Sequence, residues 1–221
     1  MTQEKYVYVA PRSRTPERTK LPGSPYYSKH SIAERRAVTE VLIDRYPIKT
    51  EDLAADVVSA WEMIFDSRIG PARIGTDIFP APQIIGFFLH ELVPMVVAQN
   101  RKNWRRDASK SEKDMVYIPD DSFSTEIKTS SNAKEVYGNR SYGQKNDKAL
   151  KDKSGYYLTI NFQKWQEVAP GQQPKISLVR FGWVDSSDWV AQSAGTGQNS
   201  RLLGPVYDSQ LAVIYSSEDA S

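Results

Sequence analysis

The stretch Pro119–Gln144, PDDSFSTEIKTSSNAKEVYGNRSYGQ, decides how the rest of this 221-residue chain is read. Its centre is Glu126-Ile127-Lys128, a few residues after Asp120 and Asp121. Phe123 to Ser130 reads as a strand. Positions two apart in a strand face the same way, so Glu126 and Lys128 share one face. A carboxylate and an ammonium on one face, with more carboxylate at the turn before them, make a small oxygen cage of the kind that hard Mg²⁺ prefers. Such a site polarises a phosphodiester, lowers the pKa of a bound water and lets Lys128 orient that water. The competing reading is an exposed hairpin in which Glu126 and Lys128 form a surface pair of little energetic weight. The triplet is the only acidic-x-Lys in the chain, where random placement would supply about two.

Working outward, the strand period continues downstream. Gly155–Phe162 (GYYLTINF) and Lys175–Val184 (KISLVRFGWV) are aromatic and β-branched strand patterns, joined through the PGQQP loop at 170–174. Met115–Ile118 is a short strand candidate before the centre, and Leu211–Tyr215 a last one. Residues 131–154 are polar and turn-rich, and 185–205 are polar and small. Upstream the period is helical. Ser31-Ile-Ala-Glu34 is a capping box that opens a helix to about Arg45. Thr50 is expected to cap a second helix, with Leu53, Val57, Trp61, Ile64 and Phe65 as its core stripe. A third, from about Gln83 to Asn100, is apolar on most sides and is expected to be largely buried and kinked at Pro94. Helices followed by strands make an α+β chain. Residues 1–29 read as a basic, proline-rich arm, and 30–221 as a single domain with helices over 31–100, a sheet core over 115–184 and a polar C-terminal region over 185–221.

Composition narrows the chemistry. There is no cysteine, so disulfides, thiolate nucleophiles and Cys-based zinc sites are out, and His30 and His90 are too few for a multi-histidine centre. Formal net charge is +2, yet basic residues cluster at Arg12–Lys20, Arg101–Arg106 and Lys145–Lys153. Separate basic patches beside an acidic centre suit a groove that holds a polyanion. No signal-peptide pattern and no membrane-spanning run is visible, which fits the cytoplasm.

Pro119-Asp120 followed by Glu126-Ile127-Lys128 resembles the PD-(D/E)xK signature of Mg²⁺-dependent nucleases. The string Glu126–Ser131 followed by Tyr137–Gln144 is similar to the ScaI-type restriction endonucleases, as are Arg180-Phe-Gly-Trp183, Asp188-Trp189 and Thr196-Gly-Gln198. The likeness covers roughly residues 115–205. It implies a restriction-endonuclease-like core, with the helical part packed on a mixed sheet. It also implies type II cleavage of double-stranded DNA at a short palindrome, Mg²⁺, a homodimer and a bacterial or archaeal cytoplasm. On this pattern Glu126 binds metal with Asp120 or Asp121. The gap to the triplet is short, and two adjacent aspartates leave that choice open. A carboxylate from the preceding helix would be Glu91. Asn139, Arg140, Ser141 and Gln144 are candidate DNA contacts, because Arg and Asn read guanine and adenine edges or contact phosphate. Gln198 and Arg201 are a second set, in a C-terminal region over 185–221 that is expected to face DNA. Two other readings keep the same residues: a structure-specific repair or recombination nuclease, and a DNA-binding protein with an inactive site.

Overall fold

The computed structural model describes residues 30–143, 153–192 and 198–217. The N-terminal arm, Gln144 and Thr196-Gly197 therefore lie outside the described residues. Helix α1 spans Ile32–Asp44 and opens with the expected reciprocal cap, in which the Ser31 N–H donates to Glu34 Oε2 (2.6 Å) and the Glu34 N–H to Ser31 Oγ (3.4 Å). Helix α2 spans Thr50–Asp66. Here Thr50 is the first helical residue and Lys49 the cap, because Thr50 Oγ1 donates to Glu51 rather than accepting from the backbone. A small hairpin follows, β1 (Arg68–Ile69) with β2 (Ala72–Arg73), and then α3 (Pro82–Asn100). Leu89, Val93 and Val97 of α3 are buried against α2, whereas Ile84 and Phe87 are exposed. The expectation of a largely buried α3 therefore holds on one side only.

The strands are β3 (Trp104–Arg106), β4 (Met115–Tyr117), β5 (Thr125–Ser130), β6 (Tyr137–Asn139), β7 (Gly155–Phe162), β8 (Ile176–Val184), β9 (Trp189–Ala191), β10 (Asn199–Leu202) and, after helix α4 (Gly204–Ser209), β11 (Leu211–Ser216). They form a six-stranded sheet in the order β11-β8-β7-β5-β4-β3 and a three-stranded sheet in the order β6-β10-β9. Only β5 and β7 of the large sheet run parallel, so it is mixed, as expected of this α+β architecture. A parallel pair needs a crossover of a dozen or more residues. Residues 131–154 supply it, and that polar segment contributes β6 to the second sheet.

Strand β7 is buried along its whole length because both faces of the large sheet are covered. Tyr156, Leu158, Ile160 and Phe162 join Ile127, Phe181 and the helical residues Leu42, Leu53, Val57, Ile64 and Leu89 in one core. Tyr157 points the other way, into a smaller cluster with Val136, Tyr142, Val184, Trp189 and Leu202 under the second sheet. Strand alternation assigns β5 the same division. Thr125 and Ile127 face the helices, where Tyr46 Oη lies 2.6 Å from Thr125 Oγ1. Glu126 and Lys128 face the second sheet.

One basic run reads differently in three dimensions. Arg101 pairs with Asp56, Arg105 with Glu112 and Arg106 with Glu91. These arginines hold α3 and β3 in place instead of forming an open cationic patch.

Candidate active site

Glu126 and Lys128 sit side by side on β5, with Lys128 Nζ 2.6 Å from Glu126 Oε1 and side-chain exposures of 12% and 4%. At that burial the pair is not a surface salt bridge. A buried carboxylate is stable only when paired and hydrogen-bonded. Tyr142, on the single turn of 3₁₀ helix at Arg140–Gly143, donates its hydroxyl to the same Oε1 at 2.6 Å. Burial first, and then the Glu126 charge, push the Tyr142 pKa well up, so the phenol stays protonated and is the donor. Lys128 Nζ lies 4.7 Å from the Tyr142 ring centre and Lys153 Nζ 5.2 Å from it. Burial lowers the Lys153 pKa.

The second carboxylate beside this group is Asp114. Met115 pairs with Thr125 across the β4–β5 hairpin, so Asp114, one residue earlier, falls opposite Glu126. Residues directly opposite in an antiparallel pair share a face. Asp114 Oδ2 accepts the Ile127 N–H at 2.6 Å and lies 3.6 Å from His90 Nδ1. Burial first, and then nearby charge that includes Glu126 and Asp114, raises the pKa of Tyr157 as it does that of Tyr142.

Asp120 and Asp121 lie at the other end of the hairpin. Asp120 Oδ1 accepts the Ser122 N–H at 3.0 Å, and Asp121 opens the short helix Asp121–Phe123 that makes the turn. Strand β5 runs away from that turn, so Glu126 faces the start of β4 across the hairpin. Glu91 is directed to Arg106 of β3. Its neighbour His90 is the α3 side chain that reaches the site. In the sequence Asp114 is marked only as an acidic residue immediately before the strand candidate Met115–Ile118.

Glu126, Lys128 and Tyr142 open into a cavity of about 450 Å³, with His90, Lys110 and Lys153 on the same part of its wall. Tyr137, Gly138, Asn139 and Ser141 form another part. Two candidate DNA contacts, Asn139 and Ser141, therefore share a cavity with the Glu126–Lys128 pair, and Ser141 Oγ donates to Asn139 Oδ1 at 2.6 Å. Arg140 between them is tied by its backbone N–H to the Gln198 carbonyl at 2.6 Å. Strand β10 pairs with β6 so that Asn199 faces Asn139 and Arg201 faces Tyr137, all four exposed. Two candidate sets about 60 residues apart in sequence thus form one polar sheet face beside the cavity.

The other residues of the likeness pack around the site. Arg180 is buried, donates to the Lys134 carbonyl (3.0 Å) and Asn161 Oδ1 (3.3 Å), and stacks on Tyr207. Asp188 accepts from the Asp185 N–H and Gln210 Nε2, both at 2.8 Å. Trp189 packs edge-on against Tyr142, with ring centres 4.9 Å apart.

Asp114 and Glu126 offer oxygens from adjacent strands, with a lysine at hand and room for phosphate oxygens and water. That donor set fits a hard, oxygen-seeking divalent cation that keeps several waters. Among the described residues no group of three or more His, Asp or Glu side chains forms a closed cage. No helix among the described residues is long and apolar enough to cross a membrane.

The model of the ScaI restriction endonuclease family matches residues 24–215. The type II restriction enzyme ScaI of Streptomyces caespitosus is 44% identical over 200 residues, covering 90% of this chain and 87% of that enzyme. No solved structure matches the chain.

Proposed function

The chain belongs to the ScaI restriction endonuclease family, and from that premise and the geometry of its site we infer how it works as a type II restriction endonuclease. Its substrate is DNA, and its reaction is hydrolysis of a phosphodiester bond at a specific site. We propose Asp114, Glu126 and Lys128 as the working groups, with Mg²⁺ as the ion held by the two carboxylates. The observation that carries this is the buried cluster of Glu126, Lys128 and Tyr142 opening into a cavity that DNA-contact candidates also line.

When bound, a divalent ion supplies Lewis-acid polarisation of the phosphate and acidifies a coordinated water. The protein does the rest. Lys128, held against Glu126 at 2.6 Å, presents an ammonium that orients the attacking water and offsets negative charge building on the phosphate. Lys110 and Lys153, on the same wall, draw the DNA backbone into the cavity. Asn139 and Ser141 meet the DNA next to the cut bond, and Arg140 with Gln198 beside β10 and Arg201 on it extend that contact. Gln144 joins this set as a residue of the same segment. One chain carries one such site, and a duplex has two strands. A homodimer would present two sites, and its two-fold axis would match a palindrome. The cytoplasm, where a cell meets incoming DNA, is the proposed place of action.

The test is digestion of plasmid DNA in Mg²⁺ with sequencing of the ends, using Glu126→Ala and Lys128→Ala beside the parent. The parent cuts at one repeated sequence. Both variants fall below detection yet still bind a duplex carrying that sequence when Ca²⁺ replaces Mg²⁺. Normal cutting by both variants would overturn the assignment, and cleavage tied to branched or mismatched structure would point to a repair nuclease.

A further inference from the structure

Tyr142 belongs to neither the carboxylate–lysine pair nor the exposed candidate contacts, yet it touches both groups. Its hydroxyl donates to Glu126 Oε1, the oxygen that also receives Lys128 Nζ. Two donors on one oxygen fix the rotation of the carboxylate about its last bond. The ring is held as firmly as the hydroxyl. Trp189 packs edge-on against it, and a Cβ built at Gly138 would come within 2.9 Å of Tyr142 Cγ, so the ring rests directly on the β6 backbone. The 3₁₀ turn that carries Tyr142 is pinned to β10 at two further points. The Gly143 N–H donates to Ser200 Oγ at 3.0 Å, and Ser200 Oγ donates to the Arg140 carbonyl at 3.2 Å. Asn139 and Ser141, the cavity-lining polar pair, sit three and one residues before Tyr142 on this same rigid piece.

We propose that Tyr142 is a positioning residue that aligns the Glu126 carboxylate and ties its alignment to the Asn139–Ser141 turn that meets DNA. The proposal rests on the reading of Glu126 as a metal-binding carboxylate and adds to it. The three-stranded sheet is then more than a recognition surface. A shift of its turn by DNA moves the phenol, and the phenol moves the carboxylate. A hydrogen-bonded partner of a metal-binding carboxylate contributes about 10- to 100-fold in metal affinity or activity.

The discriminating variant is Tyr142→Phe in the full chain, which deletes one oxygen and keeps the ring. Mn²⁺ serves as the probe, titrated by electron paramagnetic resonance into the protein bound to a duplex carrying the cut site. The expected result is a Mn²⁺ half-saturation raised about 10- to 100-fold, with DNA affinity in Ca²⁺ within about twofold of the parent and an unchanged thermal melt. Single-turnover cleavage should fall at low Mg²⁺ and recover in part at high Mg²⁺. A parent-like metal titration overturns the proposal. So does a Tyr142→Phe chain that fails to fold, because the hydroxyl would then be structural. Glu126→Ala and Lys128→Ala, run alongside, separate the two levels. If they still cut, the reading of the site fails; if they are dead and Tyr142→Phe binds metal as the parent does, only the role given to Tyr142 fails.

Discussion

Replacing Asp114 by asparagine tests the least sequence-evident part of the site. The change removes one negative charge and keeps an amide oxygen where Asp114 Oδ2 accepts the Ile127 N–H at 2.6 Å. Exchanging a charged acceptor for a neutral one costs about 1 kcal/mol of stability. In a chain of this size that lowers the melting temperature by about 2–4 °C. The catalytic cost is of another order. Losing one of two carboxylates that hold the ion forfeits several kcal/mol of transition-state stabilisation, and about 4 kcal/mol is on the order of a thousandfold in rate. The assay is single-turnover cleavage of a duplex carrying the cut site, at fixed Mg²⁺, with a thermal melt of each variant. Asp120→Asn and Asp121→Asn are the controls. Asparagine at position 120 can still accept from the Ser122 N–H, and position 121 lies in the turn beyond β4, so both should cut within about threefold of the parent. A thousandfold loss in Asp120→Asn or Asp121→Asn, with Asp114→Asn cutting normally, would refute the pairing of Asp114 with Glu126.

Other consequences follow from the packing. Leu158→Ala, at a fully buried position of β7, should cost about 2–5 kcal/mol by urea denaturation, because a cavity opens where the sheet meets the helices. Gly143→Ala should detach the Tyr142 turn from β9, since its Cβ would lie 2.1 Å from the Ala191 nitrogen; cleavage and the melting profile should both suffer. Asp188 sets a pH dependence. Burial raises its carboxyl pKa in the folded state, so the folded protein holds that proton more tightly than the unfolded chain does. Its contribution to stability is therefore greatest in acid and declines as pH rises from the ordinary aspartate range through the raised value. Asp188→Asn lacks this decline, so the variant should gain on the parent across that window in denaturation curves taken at successive pH values. A constant difference would show that Asp188 does not carry the dependence.

Local chemistry alone specified much of this protein. The capping box at Ser31–Glu34, the helical stripe of Leu53, Val57, Trp61, Ile64 and Phe65, and the strand runs at 155–162 and 176–184 each depend on neighbours in sequence, and each forms where its pattern lies. The pairing of Glu126 with Lys128 is of the same kind, because the period of a strand places them together whatever surrounds it. What remained for the tertiary structure were relations across the chain. Hairpin register set Asp114 opposite Glu126 and left Asp120 and Asp121 at the turn, and register depends on where pairing starts, which a Pro-Asp pair does not encode. The β5–β7 crossover turned the polar segment after the triplet into part of a second sheet, bringing Asn139 to face Asn199. Tyr142 reached Glu126 from 16 residues away by the same folding-over. The arginines of 101–106 found acidic partners on other elements, which no count of charge along the chain reveals. The triplet is local because one strand carries both side chains; the site around it is not, because five separate segments, at His90, Lys110, β5, Tyr137–Tyr142 and Lys153, must pack before their polar groups share one cavity.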